Sequence, residues 1–184
     1  ENISASKTEK SFLRKFIKLF SRNPSSSDEV ADMLRSAENE SIIDADALQI
    51  MEGALKVSDL QAREIMIPKS QMKLIESDFS LEEVLDVVTQ SQHSRFPVVG
   101  ESSDDVLGIL LAKELIPLIL DGKESFDLKN MLRPANIIPE SKRISILLKE
   151  FREQRYHMAI VVDEYAGVSG LLTIEDVLEE IVGE

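Results

Sequence analysis

Near the end of the sequence, Thr173-Ile174-Glu175-Asp176 runs into Val177, Leu178, Glu179 and Glu180, setting one hydroxyl among four carboxylates. Three chemistries suit that spacing. Carboxylate oxygens are hard ligands for a cation such as Mg²⁺, and on a helix Glu175 would sit near Glu179 and Asp176 near Glu180, with Asp163 and Glu164 a short way upstream. Magnesium, however, keeps several waters and takes few carboxylates, and such a run is more often a solvated helix face. The second reading is structural: Thr173 as an N-cap with a nearby acid supporting the exposed amides. The third builds on the second, because the first amides of a helix, aimed into a cleft, form a phosphate site that the threonine hydroxyl extends.

Other reactive groups are scarce. There is no cysteine, and the two histidines, His93 and His157, lack HExxH-type spacing. His157 lies at the entry to an apolar run, where a packed or ligand-adjacent imidazole fits better than a general base. No serine nucleophile elbow, Walker loop or dinucleotide fingerprint occurs, so the chain is not expected to be an enzyme. A net charge of −13 argues against nucleic acid as a partner, since phosphate contacts need a basic face.

The elements that would position Thr173 and Asp176 emerge from a repeat. Leu81, Val84, Leu85 and Val88 fall on Ile144, Leu147, Leu148 and Phe151, each set forming the i, i+3, i+4, i+7 stripe of a helix with one buried face. An apolar run follows each helix, Phe96 to Val99 and Ala159 to Val162. The chain then turns through "ESSDD" or "DEYAG" and returns as "VLGILL" or "VSGLL". "AKELIPLIL" and "TIEDVLEEIV" close the two copies as helices, and the proline-punctuated segments "IMIPKSQMKLIE" and "MLRPANIIPE" lead into them. The expected fold is α/β, with two β-α-β-β-α units over residues 62–124 and 125–184. Neither is expected to cover both faces of its sheet alone, so the two should pack about a pseudo-twofold axis.

Residues 1–61 read as a helical lead-in. Asp28 is a candidate N-cap for one helix, and Asp44 or Asp46 for another. Residues 1–22 carry Lys7, Lys10, Arg14, Lys15, Lys18 and Arg22 around Phe12, Leu13, Phe16, Ile17, Leu19 and Phe20. That basic amphipathic pattern suits an anionic membrane surface or an acidic partner, and equally a helix docked on its own domain. No apolar stretch approaches the roughly 20 residues that cross a bilayer, so the chain reads as cytoplasmic, with the inner membrane as a peripheral location. A peripheral membrane adaptor, or an acidic cation-binding module, stands as the alternative to a ligand sensor.

The tandem repeat, with "HSRFPVV" before one strand and "GLLTIEDVLEEIVGE" at the end, resembles a pair of cystathionine β-synthase (CBS) domains. "REIMIPKSQM", "PESKR" and "KEFREQRYHMAIVVDEYAGVSG" extend the likeness to the CorC family of bacterial magnesium and cobalt efflux proteins. The resemblance implies a regulatory module that binds an adenine nucleotide (AMP or ATP, the latter with Mg²⁺), forms a homodimer and serves a membrane transporter. It places Thr173 against phosphate or ribose oxygens and Asp176 on the ribose hydroxyls, where a carboxylate accepts from both donors of a diol. Ile138, Pro139, Met158 and Ala159 are the implied adenine walls, and Ser94 and Arg95 the implied phosphate contacts. An exposed ion pair is the competing role for Arg95. Family members usually continue into a transporter-associated domain, so the chain is expected to be part of a longer protein.

Two departures stand out. In the first copy Leu111 replaces Thr173 and Glu114 replaces Asp176, which predicts one competent nucleotide site and one degraded site. In the second hairpin Ala166 precedes Gly167 where the family commonly has two glycines, which would strain the turn if both positions need a positive φ.

Overall fold

The computed structural model describes residues 24, 26–121 and 126–183, which divide into two compact units, the first ending at Leu55 and the second beginning at Lys56. The basic amphipathic segment expected over residues 1–22 lies outside the described residues. In the first unit, helix α1 (Ser27–Asn39) is capped by Ser26, two residues ahead of the expected Asp28: its hydroxyl accepts from Glu29 N–H at 3.2 Å. Asp44 rather than Asp46 opens α2 (Ala45–Asp59), accepting from Ala47 N–H at 2.7 Å. The last turn of α2 belongs to the second unit, where Val57 is buried.

From there a short helix α3 (Ala62–Ile65) leads to β1 (Ile67–Pro68), and two copies of one unit follow. The first is β2 (Ile75–Glu76), α4 (Leu81–Ser91), β3 (Arg95–Val99), β4 (Val106–Leu111), a 3₁₀ turn at Ala112–Leu115 and α5 (Ile116–Asp121). The second is β5 (Asn136–Pro139), α6 (Ile144–Gln154), β6 (Met158–Val162), β7 (Val168–Thr173) and α7 (Ile174–Val182). This is the β-α-β-β-α repeat expected. In each copy the first strand pairs parallel with the second, and the second antiparallel with the third.

The copies agree in detail. Helix α4 ends at Gln92 (φ 59°) and α6 at Arg155 (φ 57°), the same left-handed turn into the same strand. Arg95 pairs with Leu111 in one hairpin and Met158 with Thr173 in the other, and both hairpins shift register at the same place, Val98/Val99 and Val161/Val162.

The lead-in segments are exchanged. β1, which precedes the first copy, pairs antiparallel with β7 of the second, Ile67 opposite Leu171 and Pro68 opposite Gly170. Reciprocally, Arg133, ahead of the second copy, bridges Ile109 on β4 of the first. Each exchange needs a glycine. A Cβ on Gly170 would collide with the Ile67 carbonyl, and one on Gly108 would lie 2.7 Å from the Arg133 carbonyl.

Alternation sorts the apolar side chains into three layers. Phe96, Val98 and Leu110 pack beneath α4 with Leu81 and Val84, while Ala159, Val161 and Leu172 pack beneath α6 and α7 with Leu147, Phe151 and Val177. The opposite sheet faces meet in a third cluster, Ile109 against Met158, Ile160, Val168 and Leu171. That shared layer covers the sheet face each repeat would otherwise expose, and full burial of each such side chain contributes about 1.5–3 kcal/mol. A polar staple crosses the same boundary: Asp104 in the first hairpin turn accepts from Lys69 Nζ and from Val168 N–H of the second repeat, both at 2.7 Å.

The second hairpin resolves the glycine question. Only one of the two turn positions is left-handed, and it is Ala166 (φ 64°) rather than Gly167. Asp163 holds the turn, its Oδ1 accepting from Tyr165 N–H and Gly167 N–H at 2.8 Å each.

Candidate functional site

At the start of α7, Thr173 and Asp176 form a reciprocal cap. The Thr173 hydroxyl accepts from Asp176 N–H at 3.2 Å and donates to Asp176 Oδ2 at 2.7 Å, while Thr173 N–H donates to the same Oδ2 at 2.7 Å. The bland and the functional readings of "TIED" therefore describe one arrangement. The cap fixes both rotamers at the mouth of a positive helix end. Both bonds fall on Oδ2, which leaves Oδ1 for a ligand.

The first repeat comes to this point from the other side. Arg95, the first residue of β3, places Nη1 3.8 Å from Glu175 Oε1, and His157 Nδ1 stands 3.8 Å from the same oxygen. One carboxylate in the first turn of α7 thus faces two basic side chains, one from each repeat. The His157 carbonyl accepts from Ile174 N–H at 3.0 Å, and the equivalent Ser94 carbonyl accepts from Ala112 N–H at 3.0 Å. Ser94 accordingly uses its backbone to hold its own hairpin, one residue ahead of Arg95.

The expected adenine walls divide. Met158 lies directly opposite Thr173 in the ladder, and Ala159 next to it opposite Leu172. Ile138 and Pro139 pair with Val161 and Val162, at the far end of β6 from Thr173. Ile138 is 3% exposed and packs under the helices, whereas Ile137, on the other face, is 61% exposed. The lead-in that borders Thr173 is the exchanged one: β1 lies against β7, and Ile65, just ahead of it, lines a cleft of about 440 Å³ with Asp176, Lys56, Glu179, Glu180 and Gly183. Ile65 reaches Asp176 only because the lead-ins are exchanged between the repeats, a pairing with no local signal in the sequence.

The equivalent position in the first repeat is built differently. Leu111 has no hydroxyl and its helix start carries no side-chain cap. Glu114, in place of Asp176, accepts from Arg133 Nη2 at 2.7 Å and Nε at 3.1 Å. Arg133 belongs to the lead-in exchanged onto β4, so Glu114 is engaged in an ion pair of the chain itself.

Among the described residues no three His, Asp or Glu side chains are grouped to hold a metal ion, and no helix is long and apolar enough to cross a membrane. Residues 62–121 and 126–183 each match the CBS domain family, and residues 22–57 match the N-terminal region of NMB0537. The chain is 47% identical over 175 residues to the magnesium and cobalt efflux protein CorC of Vibrio cholerae, an alignment covering 95% of this chain and 60% of that protein. Against the protein of the same description from Escherichia coli K12 it is 49% identical over 166 residues, covering 90% and 57%. The chain thus spans 57–60% of the length of these relatives.

Solved structures agree. A conserved domain from Neisseria meningitidis MC58, described as functionally unknown, superposes with a TM-score of 0.78 at 48% identity, covering 84% of this chain and 99% of that one. The CBS domain of a bacterial CNNM/CorC family Mg²⁺ transporter in complex with ATP superposes at 0.66 with 40% identity, covering 74% and 96%. A CBS-domain pair with bound AMP from Klebsiella pneumoniae superposes at 0.61 with 29% identity, covering 68% and 100%. The exchanged tandem repeat, its hairpin registers and these likenesses lead to one statement: the chain belongs to the CorC family and carries that family's tandem CBS-domain pair.

Proposed function

We propose that this CBS pair is a regulatory module that binds an adenine nucleotide, AMP or ATP, in the cleft at the start of α7, and so couples magnesium and cobalt efflux to nucleotide level. One observation carries the reading: Arg95 from the first repeat converges with the Thr173–Asp176 cap of the second at a single helix N-terminus. That arrangement suits a ribose phosphate, with a carboxylate oxygen for the diol, oriented amides and a guanidinium for the phosphate. The ATP and AMP complexes of similar domains support the ligand class. Ser94 flanks the phosphate end, the buried Met158 and Ala159 underlie the sheet wall beside Thr173 from opposite faces, and Mg²⁺ enters with ATP rather than through a protein-only site. Ile138 and Pro139 support that wall from the far end of the sheet.

The module passes its state to a membrane transporter, from the cytoplasmic side, and works as a homodimer. Exposed Ile116, Ile119 and Leu120 on α5, and Leu178 and Val182 on α7, supply apolar surface for self-association. Calorimetric titration with AMP, ADP and ATP, with and without Mg²⁺, tests the reading. Binding is expected in the wild type, weakened in Asp176→Asn; a wild type that binds no adenine nucleotide overturns it.

A further inference from the structure

The helices of the first unit carry an apolar face that is not buried. Val30, Met33, Leu34 and Ala37 recur on α1 at i, i+3, i+4 and i+7, the spacing of a helix face that packs. Yet no residue of α1 is buried, and Met33 is 42% exposed. Ile50 and Met51 on α2 are exposed as well, and Ile42, between the helices, is 70% exposed. Arg35 holds the two helices to each other, its Nε 2.7 Å from Glu52 Oε1. Helices of 13 and 15 residues are marginal in water by themselves and draw their stability from covering such a face.

Charge says what covers it. Residues 26–55 hold eight Asp or Glu side chains and one basic side chain, Arg35, which already stands beside Asp32 and Glu52. Residues 1–22 invert that composition, with six Lys or Arg against Glu1 and Glu9, and their Leu13, Phe16, Ile17 and Phe20 repeat the same i, i+3, i+4, i+7 stripe. An apolar stripe on acidic helices is complementary to an apolar stripe on a basic segment. We infer that residues 7–22 of the same chain dock on the exposed face of α1 and α2. Only residues 23–26, Pro24 among them, separate Arg22 from the start of α1, a length that turns one helix back on the next. So short a tether also sets a local concentration of about millimolar, which favours the chain's own segment over that of a second copy. Folded back antiparallel, Phe16 comes level with Met33, and the lysines around it meet the carboxylates of α1 and α2 rather than an anionic lipid surface.

Hydrogen exchange of the full chain, read by mass spectrometry over residues 27–39, tests this together with a distance measurement. Phe16→Asp removes the apolar anchor and speeds exchange in α1 by about tenfold, while residues 62–183 exchange as in the wild type. Because the sequence has no cysteine, nitroxide labels on the double variant Ser11→Cys, Asn39→Cys report the docking alone. One short distance, below about 20 Å for helices packed side by side, is expected, and adding Phe16→Asp abolishes it. A broad distribution without Phe16→Asp, or α1 exchange that Phe16→Asp leaves unchanged, overturns the proposal. So does a short distance seen between singly labelled chains in a mixture, which makes a second copy the occupant. Flotation of the wild type on phosphatidylglycerol vesicles, with α1 exchange already as fast as in Phe16→Asp, assigns the basic segment to lipid and overturns it too.

Discussion

Glu114 and Arg133 are joined by two hydrogen bonds, at 2.7 and 3.1 Å, in the position where one repeat later Asp176 turns back on Thr173. The same place in the fold has therefore been used in two ways, once for a cap that leaves a carboxylate oxygen for a ligand and once for an internal ion pair. The predicted consequence is a stoichiometry of one nucleotide per chain, read from a calorimetric titration. Two equivalent sites per chain would contradict it.

Thr173 contributes to stability as well as to binding. Thr173→Ala deletes a hydroxyl that accepts from Asp176 N–H and donates to its carboxylate, and loss of such a cap costs about 1 kcal/mol. For a chain of this size that lowers the melting temperature by roughly 2–4 °C. Thr173→Ser, which keeps the oxygen, should melt close to the wild type and retain nucleotide binding.

The exchange of lead-in segments is tested at its glycines. Gly108→Ala puts a methyl group 2.7 Å from the Arg133 carbonyl and 2.9 Å from Leu132 Cβ, and Gly170→Ala meets the Ile67 carbonyl. Each is expected to destabilise by about 1–3 kcal/mol in denaturant titrations, the usual range for overpacking. Backbone cannot retreat here as a flexible side chain would.

Ala166 runs the other way. At φ 64° it occupies a conformation that costs a residue with a Cβ about 1 kcal/mol, so Ala166→Gly should raise stability by some tenths of that or more. An unchanged or lowered denaturation midpoint would show that the Asp163 turn already absorbs the strain.

Acid weakens the contact between repeats. The Lys69 ammonium first, and then the Val168 amide, hold the Asp104 carboxyl below its usual 3.8. A carboxyl depressed in the folded state stabilises fully above its unfolded pKa and loses that contribution as pH falls through the folded value. Asp104→Asn should therefore be less stable than the wild type at neutral pH, with the gap closing below about pH 4. Parallel melts of the two proteins from pH 7 to pH 3 check the sign.

Much of this was legible in the sequence. Leu81, Val84, Ile144, Leu147 and Phe151 carry a helical stripe strong enough to align the repeats, and Thr173 with Asp176 is a local capping signal. β1 was not legible as a partner of β7, because two residues have no periodicity and their pairing spans a hundred residues of chain. That one nonlocal exchange is why Ile65, and not Ile138, lines the cleft with Asp176. The face of Ile138 was a question of strand parity, and a one-residue difference separates buried Ile138 from exposed Ile137.

The central claim is that one nucleotide lies between Arg95 of the first repeat and the Thr173–Asp176 cap of the second. A crystal structure of the chain grown with ATP and Mg²⁺ tests it most directly. The account predicts the ribose hydroxyls on Asp176 and phosphates toward Arg95. A nucleotide seated at Leu111 and Glu114 instead, or one in the cleft with its phosphates beside Glu180, would contradict it.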